Sequence, residues 1–266
     1  MKLNVCVAGV TGWAGHELAR GVATTPDLTL ASGVSRTKAG TTLAELFANP
    51  HLAGPVCSSA AEALQQPCDV FVEYTTPEFA KSNILLALSH GAHVVVGTSG
   101  LTNEDYAEIN DSAKKRGLGV LACGNFALTA VLLMKFSAMA AKHLSQWEII
   151  EYANDTKKDV PSGTVRELAV KLAEVRRPED TLQDEQLLGY VEARGAILDG
   201  NRVHALRLPG FTLGVDVVFG SKDQSLVLRH TSGNSAAPYV EGAILAIRKV
   251  SSLVGLHRGL ESILDF

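Results

Sequence analysis

"LNVCVAGVTGWAG", residues 3–15, decides the fold. Its apolar run has no alternation, which suits a parallel strand covered on both faces. The run feeds straight into Gly9, Gly12 and Gly15, spaced G-x-x-G-x-x-G, and "GHELARGVATT" continues as a helix. Glycines at such a turn let the backbone approach a pyrophosphate, and the helix start offers free N–H groups and a positive dipole end. A tight strand–helix turn would also use glycines. The position at the head of a strand–helix–strand unit favours a dinucleotide, with Gly9, Thr11, Gly12, Trp13, Ala14 and Gly15 as expected cofactor contacts.

Outward from this turn the same alternation continues to about residue 125. "LTLASGVS", "DVFVEYT", "HVVVGTS" and "LGVLAC" read as buried strands, and "PEFAKSNILLALSHG" and "NEDYAEINDSAKKRG" as helices. This predicts an α/β N-terminal half, a Rossmann-like doubly wound parallel sheet. The second half differs. After the helix "TAVLLMKFSAMAAKHL" come strands at "WEIIEYA", "GYVEARGAI", "RVHALRLPG", "VDVVFGS" and "SLVLRHTS", interrupted only by a helix near 163–175. "VHALRL" and "SLVLRH" alternate apolar and polar, as an open-faced sheet does. The prediction is an α+β substrate domain with a mixed sheet.

Cofactor choice is read at the end of the second strand, where an NAD-selective site usually has a carboxylate. "SGVSRTK" has none between Ser32 and Lys38 and presents Ser35 and Arg36 instead. A carboxylate repels a 2′-phosphate and Arg pairs with one, so NADPH is expected, with NADH possible; the other reading is a solvated loop Arg. Two further loops leave carboxyl ends of strands and offer Thr75, Thr76, Gly97, Thr98 and Ser99 to the cofactor, or serve as turns and caps. "CGNFALT" adds Gly124 and Phe126, a possible stacking aromatic.

The bulk numbers fit one large or two modest globular domains. The 266 residues are 46% hydrophobic and 20% charged, enough for a sizeable core. The net charge of -4, without a basic stripe, argues against a nucleic-acid partner. The chain shows neither a secretory signal pattern nor an apolar run of about 18 residues, so no membrane contact is expected. Cys6, Cys57, Cys68 and Cys123 lack metal-ligand spacing and read as reduced thiols of a cytoplasmic protein without a bound metal.

"EYANDTKKDVPSGT", residues 151–164, carries the chemistry. Ser162, Gly163 and Thr164 precede a helix, so backbone N–H groups and two hydroxyls can hold a carboxylate of a small anionic substrate. They can equally be a helix cap, with Thr164 and Glu167 as a capping box. Lys157 can pair with a carboxylate or, if desolvated, donate a proton. His143, His204 and His230 read as structural.

"VAGVTGWAG", "DVFVEYTTPE", "VVVGTSG", "GNFALTAVLLMK", "WEIIEY", "KKDVPSGT", "VHALRLPG", "VVFGSKDQSLVLRH" and "GAILAIRKV", in this order, resemble the dihydrodipicolinate reductase family of lysine and diaminopimelate synthesis. The resemblance covers nearly the whole chain. It implies a dinucleotide domain of residues 1–126 and 239–266 and a substrate domain of 127–238 that also mediates a homotetramer. It implies NADPH-dependent hydride transfer to a cyclic imine-type dicarboxylate. The family pattern Glu-x-His-His-x-x-Lys-x-Asp-Ala-Pro-Ser-Gly-Thr is met at Glu151, Lys157, Asp159, Pro161, Ser162, Gly163 and Thr164, but Ala153 and Asn154 stand where the two histidines are expected. Lys157 becomes the expected catalytic residue, and Asn154, Ser162, Gly163 and Thr164 the expected substrate contacts. Three functions fit: the family activity, a reductase for a related imine or carbonyl, or a non-catalytic NADP-binding paralogue.

Overall fold

The computed structural model describes residues 2–264 and divides the chain into two compact units, Met1–Leu128 with Ala236–Phe266, and Thr129–Ser235. Each unit is built around its own sheet.

The first unit runs β1 (Leu3–Ala8), α1 (Trp13–Thr24), β2 (Leu28–Val34), α2 (Leu43–Phe47), β3 (Val56–Cys57), α3 (Ala60–Ala63), β4 (Val70–Glu73), α4 (Pro77–Ser89), β5 (His93–Val96), α5 (Asn103–Arg116) and β6 (Gly119–Ala122). The chain returns to it with α8 (Pro238–Lys249) and β12 (Gly255–Arg258). All seven strands are parallel, in the order β12-β6-β5-β4-β1-β2-β3. The unalternated runs are the reason: β1, β4 and β6 bury nearly every residue, because helices cover both faces. Local chemistry sets the helix ends. Thr102 and Asp105 form a capping box on α5, and Gly117, at φ 67°, closes it in the left-handed conformation that glycine adopts most readily.

The second unit holds most of α6 (Leu128–Ala141), then β7 (Gln146–Ala153), α7 (Gly163–Val175), β8 (Ala196–Leu198), β9 (Asn201–Arg207), β10 (Leu213–Ser221) and β11 (Gln224–Ser232). Its five-stranded sheet has the order β11-β10-β7-β9-β8, with only β7 and β9 parallel. Leu133 and Met134 of α6 and Leu168 and Leu172 of α7 pack on Trp147, Ile149, Val215, Val217 and Phe219. Trp147 donates its indole N–H to Asn201 Oδ1 at 2.8 Å, so the large ring is buried with its polar atom satisfied.

Two expectations fail in detail. "GYVEARGAI" is not a strand: Val191–Arg194 is a turn of 3-10 helix, and only Ala196–Leu198 is extended. Gly195, at φ 79°, breaks the run. β11, at the sheet edge, leaves both Leu226 (42%) and Val227 (49%) exposed, so its alternation does not bury one face. Residues 42–63, for which the sequence pattern gave no element, contain α2, β3 and α3. Thr42 and Glu45 cap α2 reciprocally, a signal present in the sequence, whereas a two-residue strand is too short for periodicity to reveal.

Candidate functional site

β1 lies between β2 and β4, so the chain reverses its direction of winding there. Open α/β sheets bind ligands in the crevice at such a switch point. A cavity of about 430 Å³ opens at this place, lined by the β1–α1 turn, the end of β2, Ser58, Ser59 and Ala60, and the start of α4.

The three glycines of the turn do different things. Gly9 sits at φ 83°, and a Cβ there would lie 2.2 Å from the Tyr74 carbonyl oxygen. A Cβ on Gly15 would lie 2.2 Å from the Gly9 carbonyl oxygen. Both are demanded by the chain's own crossing. Gly12 is exposed, and its Cβ would meet only the Gly9 carbonyl oxygen, at 3.2 Å. It is the N-cap of α1 and has no capping side chain, which leaves first-turn amides for an anionic ligand. Only Gly12 therefore keeps the turn open for a ligand rather than for the protein itself.

Gly9, Thr11, Gly12, Ser35, Arg36, Thr75 and Thr76 line this one cavity. Ser35 Oγ lies 2.8 Å from Thr11 Oγ1, and the Arg36 guanidinium sits 5.0 Å from the centre of the Phe79 ring. No Asp or Glu is among the lining residues. The other expected contacts lie off it. Trp13 is 62% exposed and makes a T-shaped contact with Tyr239, ring centres 5.8 Å apart. Ala14 and Gly15 are buried in α1, Gly97 is packed under the Tyr74 ring, and Ser99 and Gly124 are exposed. Phe126 is corrected: at 1% exposure and packed against Tyr74, its ring has no free face to stack on a ligand. Thr98 is buried and donates to Glu73.

Glu73 was absent from the expected contacts. It ends β4 at 0% exposure and accepts hydrogen bonds from Thr75, Asn83 and Thr98. Burial raises its carboxyl above the usual range, and these bonds oppose the rise. Its sequence signal was a lone acid inside an apolar strand.

In the second unit the loop after β7 is a set of local turns. Asn154 Oδ1 accepts from the Thr156 amide at 3.1 Å and hydroxyl at 2.8 Å, so the side chain holds the turn. Lys157 Nζ pairs with Asp159 Oδ1 at 2.7 Å, which holds the Asp159 carboxyl below its ordinary range. The expected cap at Thr164 is corrected: α7 begins at Gly163, its N-cap is Ser162, and Ser162 Oγ accepts from the Val165 amide. Gly163 is exposed, and a Cβ there would have only Arg166 Nη2 near it, at 3.9 Å. Ala153 is 0% exposed.

Two residues outside the expected set hold this loop. Glu151, also 0% exposed, accepts from the Ser162 amide at 3.0 Å and from Arg207 Nη2 at 2.7 Å. Arg207 Nη2 also donates to the Asp159 carbonyl at 2.7 Å. One guanidinium thus ties β9 to both sides of the loop. Arg207 was hidden because β7 and β9 are 48 or more residues apart along the chain and meet only in the sheet.

The dihydrodipicolinate reductase N-terminal region matches residues 3–126, and the C-terminal region of the same family matches residues 129–264. The chain belongs to the dihydrodipicolinate reductase family. A 4-hydroxy-tetrahydrodipicolinate reductase of Bacillus cereus (strain B4264) is 38% identical over 272 aligned residues, covering 99% of each chain. A dipicolinate-bound dihydrodipicolinate reductase from Paenisporosarcina sp. TG-14 superposes with a TM-score of 0.87 at 32% identity, over 99% of this chain and 100% of that one. An amine dehydrogenase from Mycobacterium smegmatis shares the fold, with a TM-score of 0.67 at 16% identity over 97% of this chain and 95% of its own. This dihydrodipicolinate reductase family member is an oxidoreductase, a pyridine-nucleotide-dependent reductase of the diaminopimelate and lysine route. Family membership favours that activity over a non-catalytic paralogue.

Proposed function

We propose that the chain is an NADPH-preferring 4-hydroxy-tetrahydrodipicolinate reductase, cytoplasmic and homotetrameric. The observation that carries the cofactor reading is the switch-point cavity, whose lining contains Arg36 and no carboxylate. The open amides at Gly12 suit a pyrophosphate, and the lining position of Arg36, stacked on Phe79, supports pairing with a 2′-phosphate. Bound there, the reduced nicotinamide nucleotide supplies hydride. Oxidation of NADPH and of NADH is compared in wild type and Arg36→Ala. The expected outcome is NADPH preference, falling roughly tenfold in the variant. An unchanged ratio removes Arg36 from cofactor choice.

The substrate loop is residues 154–164. The Paenisporosarcina relative binds dipicolinate, an aromatic dicarboxylate, and the α7 start offers a carboxylate the Gly163 and Thr164 amides. Lys157 stands on the same loop and is free to exchange Asp159 for a substrate carboxylate or to protonate the imine nitrogen. Lys157→Ala should lower turnover about 10²–10⁴-fold on the cyclic imine. Asn154→His tests for a missing donor and should raise turnover. Ala153→His is the poorer test, because position 153 is buried and filled. A harmless Lys157→Ala sinks the loop as a catalytic site.

A further inference from the structure

Four hydrogen bonds converge on one buried carboxylate beneath the cleft. Glu73 Oε1 accepts from the Thr75 amide at 2.7 Å, from the Thr75 hydroxyl, and from the Thr98 hydroxyl at 3.2 Å. Its Oε2 accepts from Asn83 Nδ2 at 2.9 Å. An ionised carboxylate only accepts, so each partner spends a donor on Glu73. What remains on the two cavity-lining side chains are lone pairs, on Thr75 Oγ1 and Asn83 Oδ1. Both residues line the cavity.

We propose that Glu73 is a positioning residue that holds Thr75 and Asn83 as hydrogen-bond acceptors toward the cleft. This wall then takes the neutral N–H and O–H donors of the bound nucleotide, and the phosphates are directed to the open amides at Gly12 and to Arg36. The role rests on reading the cleft as a pyridine-nucleotide site. Neighbouring parts of the lining with opposite polarity orient the ligand: the acceptors repel phosphate oxygens, and the glycine turn and guanidinium attract them.

Glu73→Gln cannot preserve this polarity. An amide has one accepting and one donating end. If the donating end meets Asn83, that amide must turn and show its NH₂ to the cleft. If it meets the threonines, their hydroxyl protons turn outward and the Thr75 amide loses its acceptor. At least one wall group changes from acceptor to donor in either case.

NADPH is titrated by fluorescence against wild type, Glu73→Gln and Glu73→Asp, with kcat, KM and the melting temperature measured alongside. The glutamine variant should bind NADPH roughly tenfold or more weakly. Its KM for NADPH should rise with kcat within about twofold, the pattern of lost binding rather than lost chemistry. Glu73→Asp, which remains acceptor-only, should recover part of the affinity. An NADPH affinity in folded Glu73→Gln within about twofold of wild type overturns the role. If the glutamine variant does not fold, Thr75→Val and Asn83→Leu each remove one wall acceptor, and unchanged binding in both overturns it equally. Wild type that binds neither NADPH nor NADH sinks the cofactor reading itself, an outcome visible without any variant.

Discussion

Glu73 and Glu151 are both 0% exposed, Glu73 as the last residue of β4 and Glu151 two residues before the end of β7, and each holds a loop of a candidate site. They solve the same problem differently. Glu73 is surrounded by neutral donors from Thr75, Asn83 and Thr98. Glu151 has a guanidinium, Arg207, and one backbone amide. Neutral donors stabilise a buried charge only partly, which is why burial still raises the Glu73 carboxyl. An ion pair is more strongly coupled: losing either partner strands a charge in the interior. The first arrangement tolerates isosteric change at the level of folding; the second does not.

The largest expected effect therefore lies at Arg207. Arg207→Met should destabilise the second unit by about 3–5 kcal/mol in urea unfolding, because Glu151 remains buried without its cation. Arg207→Met combined with Glu151→Met should regain most of that loss. A single variant that costs less than about 1 kcal/mol would break the comparison, since the pair would then behave like a surface contact.

A smaller cost is expected at Glu73. Glu73→Gln should cost about 1–2 kcal/mol of folding stability, the scale of hydrogen bonds made worse rather than a charge stranded. Its pH dependence sharpens the contrast with guanidinium-paired carboxylates, of which Asp216 gives the clearest case. Arg229 donates to Asp216 at 2.6 and 2.5 Å, and this contact holds the Asp216 carboxyl below its usual range.

The two signs are opposite. A carboxyl raised on folding binds its proton more tightly in the folded state. Its stabilising contribution is present at low pH and is lost as pH rises from the unfolded value, about 4.3 for Glu, through the folded one. A depressed carboxyl contributes stability above about 3.9, which is lost as pH falls through its folded value. The cost of Glu73→Gln should thus shrink from pH 4 toward pH 8, and the cost of Asp216→Asn should shrink as pH drops below about 4. Melting temperatures measured across this range check both slopes, and parallel slopes would refute the assignment of the two environments. This is the smallest of the expected effects.

The fold was legible because its signals are local. Unalternated Val-rich runs and the glycine spacing after β1 each lie within a few residues of what they specify. Ser162, Gly163 and Thr164 were legible for the same reason, since a helix start is a local event. The breaks in the reading also have local causes. A positive-φ glycine ended the expected strand before residue 196, and a two-residue β3 has no period to detect.

The amino-acid sequence by itself determined the two-sheet architecture, the turn at Gly12, the absence of a carboxylate beside Arg36 and the composition of the 151–164 loop. The tertiary structure alone decided which side chains hold those loops in place. Glu73 meets Thr98 across neighbouring strands, and Arg207 meets Glu151 across a pairing 56 residues apart. It also decided that Gly9 and Gly15 serve the protein's own backbone and that Phe126 faces the core. The physical reason is that hydrophobic period and turn chemistry act over one or two turns of chain, whereas a buried charge finds its partner only where the sheet brings distant strands together.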